Sequence, residues 1–243
     1  MTRRRAPDIH AHNDAQIGYY SRRVKATMVP ALTPYVQRHL HEVLTAGRVT
    51  REHRILEVGC GMGRFTWRLS EGGYQVEGVE LAPFLIERLH AASDERKITV
   101  HCCDLLDAPD QVTGLFDRIV GFFMLHHLPD LPRAFSAMAR MLKPGGVMAF
   151  AEPNPFNPLY YVQISLTPGM NWAAEKGMLS IRRPVIEAAV RAAGLCDLTW
   201  RFYGAFPPFL TNLPGMPAVE QTIERLLPMK SALAFQVLSA RRP

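Results

Sequence analysis

The chain has 243 residues, a length that fits one α/β domain with an elaborated cap and a full core. Hydrophobic residues make up 48% and charged residues 21%, an ordinary globular balance, and no apolar run reaches the roughly 18 residues a membrane-spanning helix needs. The formal charge is +6, and all of it lies early: residues 1–54 hold ten of the 28 Lys/Arg against four of the 22 Asp/Glu, and the remainder balances at eighteen of each. A solvated basic arm accounts for this excess, with an electropositive flap over an anionic substrate or a nucleic-acid contact as the functional alternatives. The stretch "MTRRRAPDIHAHND" passes from basic to polar residues without an apolar h-region, so no secretory signal is expected. Cys60, Cys102, Cys103 and Cys196 have neither CxxC nor metal-ligand spacing and read as reduced thiols of a cytoplasmic protein with no metal site.

Two helices are expected first, over 13–28 and 34–46, the second stopped by Gly47. Beyond them, short β-rich runs alternate with helix-period segments, the pattern of a mostly parallel sheet covered on both faces. The expected strands are 54–58, 74–80, 98–103, 116–123 and 146–152, followed by 195–203 and 232–240. Helices fill 63–71, 83–92, 131–142 and 183–193, and "KPGG" at 143–146 reads as the turn into the fifth strand. Two stretches rich in proline and aromatics break the rhythm, near 153–180 and 204–230, and both leave from the edge where α/β sites lie. The organisation expected is a helical lid or arm over 1–48 and one α/β domain over 49–243 carrying both insertions.

The first strand ends in "EVGCGMG", residues 57–63. A dinucleotide fingerprint is GxGxxG, with a helix N-terminus facing the pyrophosphate. Here Gly59, Gly61 and Gly63 give GxGxG, and Arg64 stands where the third dinucleotide glycine belongs. Glu57 would repel a pyrophosphate but suits a ligand carrying an ammonium group. Glu80 ends the second strand, where a carboxylate can accept both hydroxyls of a ribose, and Asp104 follows the third strand, in place for an adenine amino group. Glycine turn and two acids on successive strand ends describe a nucleoside site with no need for phosphate.

These residues resemble the class I S-adenosylmethionine-dependent methyltransferases, small-molecule type. The [DE]xGxGxG signature is Glu57, Gly59, Gly61 and Gly63; Glu80–Leu81 follow strand two, and Cys103–Asp104–Leu105 follow strand three. The fourth-strand motif is "FDRIVGFFMLHHLPD", 116–130, and the post-fourth motif is "LKPGGVMAFAEP", 142–153. The set covers roughly residues 50 to 153 in order and spacing. The resemblance implies a Rossmann-like α/β fold with seven strands in the order 3-2-1-4-5-7-6. It implies that the turn from Gly59 through Cys60 and Gly61 to Gly63 passes beneath the methionine part of S-adenosyl-L-methionine, which leaves as S-adenosyl-L-homocysteine. Glu80 would bind the ribose and Leu81 one adenine face, Asp104 and Leu105 the other adenine edge, and the backbone around Phe122 and Phe123 the ammonium group. Arg64 departs from the small or polar residue frequent there; it is expected to point to solvent, with the cofactor carboxylate as the alternative.

Methyl transfer from a sulfonium is an in-line displacement, so the protein must align donor and acceptor and, for a hydroxyl acceptor, take up a proton. His127, and after it His126, end the fourth strand beside the expected methyl position and are the candidates for a general base. "NPLY" at 157–160 is similar to the (N/D)PP(Y/F) motif of enzymes that methylate amines on bases, but it falls one element too late, and that reading is rejected. "IGYY" at 17–20 resembles a lid helix in which Tyr20, in preference to Tyr19, closes over the cofactor. Tyr160, Tyr161, Trp172, Tyr203, Phe206 and Phe209, on the two insertions, suggest an acceptor pocket that is partly apolar. An amphipathic stretch at 218–235 is read as packing on the sheet rather than touching a membrane.

The function expected is methylation of a small-molecule metabolite or biosynthetic intermediate, on oxygen first, with an acceptor that is partly apolar or anionic. N- or C-methylation, a nucleic-acid methyltransferase and a non-catalytic cofactor-binding protein are the alternatives. Nucleic acid is not the expected partner, because no recognition domain is visible, and the oligomeric state is left open. A nicotinamide oxidoreductase is disfavoured by Arg64 and Glu57.

Overall fold

The computed structural model describes residues 9–22, 28–92, 98–158, 161 and 176–243. Seven strands form one sheet in the order β3-β2-β1-β4-β5-β7-β6. They are β1 (Arg54–Val58), β2 (Gln75–Glu80), β3 (Val100–Cys102), β4 (Phe116–Phe122), β5 (Leu142–Pro153), β6 (Cys196–Tyr203) and β7 (Phe235–Arg241). The first five strands are mutually parallel, and β7 runs antiparallel to both β5 and β6. The order reverses between β1 and β4, which creates the crevice at the carboxyl ends of the strands where ligands of such sheets bind.

Alternation along the strands divides the core between two faces. Leu56, Ile119, Met148, Phe150 and Leu238 point to one side, where α6 (Leu131–Met141) and α7 (Arg183–Ala192) cover them with Phe135, Met138, Ile186 and Ala189. Ile55, Val120, Ala149, Ala151 and Val237 point to the other, against Tyr35, Val36 and Val43 of α2 (Pro34–Ala46) and Leu69 of α3 (Thr66–Glu71). Val36 and Val43 are completely buried, each worth about 1.5–3 kcal/mol relative to exposure. α2 begins where its sequence signals place it: the Thr33 hydroxyl accepts the Val36 N–H at 3.3 Å, Pro34 occupies the first turn, and Gly47 ends the helix. The remaining helices are α4 (Pro83–Ala91), α5 (Ala108–Gln111), α8 (Pro208–Thr211) and α9 (Met216–Leu226).

Two elements differ from expectation. The first helix, α1, is Ile9–Arg22 rather than 13–28; long-range contacts hold it, not an apolar stripe of its own. β5 begins at Leu142, so "KPGG" is a bulge inside the strand: pairing passes from Phe116–Leu142 directly to Arg118–Val147, and Gly145 takes φ +75° to make the excursion. Among the described residues no helix is long and apolar enough to cross a membrane.

Candidate functional site

The turn after β1 is held from the β2 side. The N–H groups of Gly59 and Cys60 both donate to the Val79 carbonyl, at 2.8 and 3.2 Å. Gly59, Gly61 and Gly63 have φ of +69°, +54° and +81°, backbone that side-chain-bearing residues rarely adopt. At Gly63 a Cβ would also lie 2.6 Å from the Trp67 ring, whereas at Gly61 it would meet nothing within 4 Å. The turn is thus packed below and open above.

Glu80 holds this turn in place. Its Oε2 accepts the Gly61 N–H and its Oε1 the Ala82 N–H, both at 2.9 Å, and burial raises its pKa. Each carboxylate oxygen keeps a lone pair for a further donor. Asp104 accepts the Leu106 N–H at 2.9 Å and, on its other oxygen, the Asn13 side-chain amide of α1 at 2.6 Å. Leu81 is half-buried in the bend after β2, and Leu105 is buried against the α6 side of the core. Glu57, at the end of β1, is 1% exposed; burial pushes its carboxyl up to about 8, opposed by the nearby Thr66 hydroxyl and helped by Glu80. Among the described residues its Oε2 makes no close hydrogen bond. An orphaned buried carboxylate oxygen beside an open glycine turn fits a ligand that brings an ammonium group and needs no phosphate cradle.

At the end of β4, Phe122 stacks on Phe65 with ring centroids 3.9 Å apart. Phe123 takes φ +58°, and its N–H donates to the Ala151 carbonyl at 2.8 Å. The two histidines that follow are differently placed. His126 is 4% exposed, with Nδ1 2.6 Å from Oε2 of Glu152, while Oε1 of that carboxylate accepts the N–H groups of Met124 and Leu125 at 2.9 and 2.7 Å. His127 is more open, its ring centroid 4.0 Å from that of His126, and its carbonyl is met by Nε2 of His12 on α1 at 2.8 Å. His12 and Asn13 therefore bring α1 across both ends of the crevice, and its Ile17 packs against Met62, Ala82 and Leu85.

Of the expected pocket residues, Tyr203 is fully buried with its hydroxyl 2.6 Å from Nδ1 of His39. Phe206 is half-buried, its N–H donating to Glu220, and Tyr161 donates to the Pro155 carbonyl at 2.7 Å. Phe209 is 71% exposed. Tyr160, Trp172 and the side chain of Tyr20 lie outside the described residues. Arg64 is half-buried rather than extended into solvent. Its guanidinium lies over the rings of its neighbour Phe65 and of Tyr35 on α2, and the approach of Tyr35 is not visible in Arg64's local sequence. Glu152, Asn13, His12 and His39 were not singled out from sequence, because their partners lie from 26 to 164 residues away.

A profile of the family described as "Methyltransferase domain" matches residues 31–198. The chain belongs to this methyltransferase family. It is of the class I, S-adenosylmethionine-dependent kind that the motifs resemble. The ubiquinone biosynthesis O-methyltransferase of Idiomarina loihiensis is 38% identical to the methyltransferase chain over 103 residues, 42% of either protein. That of Nitrosococcus oceani is 36% identical over 103 residues, 42% of this chain and 44% of its own length. The match thus spans less than half the length of these curated relatives. Among solved structures, a SAM-dependent methyltransferase from Archaeoglobus fulgidus superposes with a TM-score of 0.61 at 18% identity, covering 86% of this chain and 93% of its own. The plantazolicin methyltransferase BamL superposes with a TM-score of 0.64 at 10% identity, covering 96% and 94%. At these identities the likeness establishes the fold.

Proposed function

We propose that this methyltransferase moves a methyl group from S-adenosylmethionine to an oxygen of a small-molecule metabolite or biosynthetic intermediate with an apolar part. The observation that carries the reading is the row of site groups along one crevice: an open glycine turn, Glu80, Asp104 and the orphaned oxygen of Glu57. The partial match to enzymes named as O-methyltransferases supports oxygen as the acceptor atom.

When bound, S-adenosylmethionine supplies an electrophilic methyl on a sulfonium centre. Glu80 and Asp104 hold the adenosine half through their free lone pairs, and Glu57 takes the ammonium. Asn13 and His12 keep α1 over the crevice and so restrict water. Leu81 and Leu105 would flank the adenine, while Gly59, Cys60, Gly61 and Gly63 would run beneath the methionine portion with Phe122 beside it. Glu152 fixes the 124–127 turn and His126 within it, and His127, the more open imidazole, takes the proton from the acceptor hydroxyl. Tyr161, Phe206 and the Tyr203 cluster, with Tyr160, Trp172 and Tyr20, are proposed to enclose the acceptor.

Calorimetry and methyl incorporation test this together. Glu80→Ala is expected to weaken S-adenosylmethionine binding by about 1.5–3 kcal/mol, the scale of hydrogen bonds to a charged group. Unchanged affinity would remove the ribose assignment. His127→Ala is expected to lower kcat by about 100-fold or more with cofactor affinity retained; full turnover would exclude it as the base.

A further inference from the structure

Arg64 directly follows the glycine turn, and its surroundings are not those of a surface arginine. Its guanidinium carbon lies 5.4 Å from the centre of the Tyr35 ring and 5.3 Å from that of Phe65, both rings buried. Arg38, Arg54 and Arg68 each hold a carboxylate within 2.9 Å. Among the described residues Arg64 has no hydrogen bond and no ion pair; the ionisable groups coupled to it are the Tyr35 phenol, which burial keeps protonated, and the His39 imidazole. A half-buried guanidinium with no anion is an unfavourable arrangement that a ligand can correct.

A second unmatched donor sits on the same wall. His39 is 1% exposed, with the rings of Tyr35, Phe123 and Phe235 at 4.2, 4.7 and 4.7 Å and that of Phe65 at 6.5 Å. Burial, then the charge of Arg64, lowers its pKa and keeps it neutral, while burial holds the proton on Tyr203. Among the described residues the Tyr203 hydroxyl pairs with His39 Nδ1, and when that hydroxyl donates, the imidazole hydrogen stands on Nε2. Among the described residues that Nε2 has no hydrogen-bond partner. Arg64 and His39 lack the same thing, a negatively charged acceptor oxygen. Their shared aromatic neighbours belong to the α2 and α3 side of the sheet, which Ile55 and, two residues on, Glu57 also face, whereas Glu80 and Asp104 lie at the ends of β2 and β3.

We propose that Arg64 is the anion receptor of the acceptor pocket, seating the carboxylate of a flat hydroxy acid whose body lies against Phe123 and the Tyr35–Phe65 wall, with His39 Nε2–H as the second donor. The inference rests on the methyl-transfer reading, since the carboxylate would fix how the hydroxyl meets the 125–127 turn. The cofactor's own carboxylate is the other source of the same chemistry, and the test separates the two.

The probes are 3,4-dihydroxybenzoate and its methyl ester, titrated calorimetrically with and without S-adenosylhomocysteine into the wild type, Arg64→Lys and Arg64→Met. The acid is expected to bind the wild type about tenfold more tightly than the ester, and Arg64→Met is expected to erase that preference while Arg64→Lys keeps part of it. S-adenosylmethionine and its decarboxylated analogue are expected to lose affinity for Arg64→Met equally, by less than about twofold. Arg64→Met is expected to melt no lower than the wild type, because it removes an unmatched charge. Equal binding of acid and ester to the wild type, or a preference that survives in Arg64→Met, would overturn the proposal. So would a variant that binds S-adenosylmethionine about tenfold more weakly but its decarboxylated analogue normally, for then Arg64 serves the cofactor. Failure of the wild type to bind S-adenosylmethionine would strike the methyl-transfer reading instead, and the acid–ester comparison on the unliganded protein still decides whether Arg64 takes an anion.

Discussion

Burial at 1% exposure, opposed by the Thr66 hydroxyl and helped by Glu80, pushes the Glu57 carboxyl up to about 8, against an ordinary value of 4.5. Between those values the folded protein binds more protons than the unfolded chain. Stability of the unliganded protein therefore falls as pH rises through that window, by on the order of 1 kcal/mol per pH unit at most. Burial also raises Glu80, which acts with the same sign, and lowers His39, which acts with the opposite sign below about 6.5, so a variant is needed to isolate Glu57. Thermal melts between about pH 5 and 8 are expected to show the wild type losing stability relative to Glu57→Gln as pH rises. Parallel slopes would take Glu57 out of this account. S-adenosylmethionine is expected to flatten the wild-type slope, since an ammonium beside Glu57 favours its ionised form.

At the scale of elements, α1 stands apart because polar contacts at long range fix it. Asn13 meets Asp104 and His12 meets the His127 carbonyl, one at each end of the crevice. Asn13→Ala is expected to speed release of S-adenosylhomocysteine by about three- to tenfold, the scale of one charge-assisted hydrogen bond, with the melting temperature nearly unchanged. Stopped-flow dissociation reads this directly, and an unaltered rate would mean that α1 does not gate the crevice. The same contacts explain why α1 was misplaced from sequence while α2 was not. α2 carries its own signals in Thr33, Pro34 and Gly47, whereas α1 owes its position to partners 91 and 115 residues away. The strand order followed from motifs spaced along the chain. The "KPGG" bulge did not, because strand pairing across it depends on Phe116 and Arg118 of β4.

Across the whole molecule the two halves of the crevice are built by different logic, and this decides how far sequence alone could reach. The adenosine half rests on local spacing: Glu80 holds Gly61 and Ala82, and Asp104 holds Leu106, so a motif read along the chain finds it. The acceptor half rests on buried pairs from distant segments, such as His39 with Tyr203 and His126 with Glu152. Glu152 is the most heavily used of these groups. It lies on β5 at 0% exposure and holds two backbone N–H groups and one imidazole of the segment leaving β4. Glu152→Ala leaves those donors facing an empty buried space and is expected to cost about 3–5 kcal/mol of unfolding free energy. Glu152→Gln keeps an oxygen for Met124 and Leu125 but turns an amide N–H₂ toward Nδ1 of His126, which must then become the acceptor. It is expected to cost less, about 1–3 kcal/mol, and to depress turnover further than stability alone explains, because the imidazole changes tautomer beside His127. Neither change touches the adenosine half, so S-adenosylmethionine affinity is expected to stay within about threefold of the wild type while both variants remain folded. Denaturant unfolding and calorimetry on the same samples check this. A Glu152→Ala protein as stable as the wild type, or one that loses cofactor and stability together, would show that the crevice is a single cooperative unit rather than two separately supported halves.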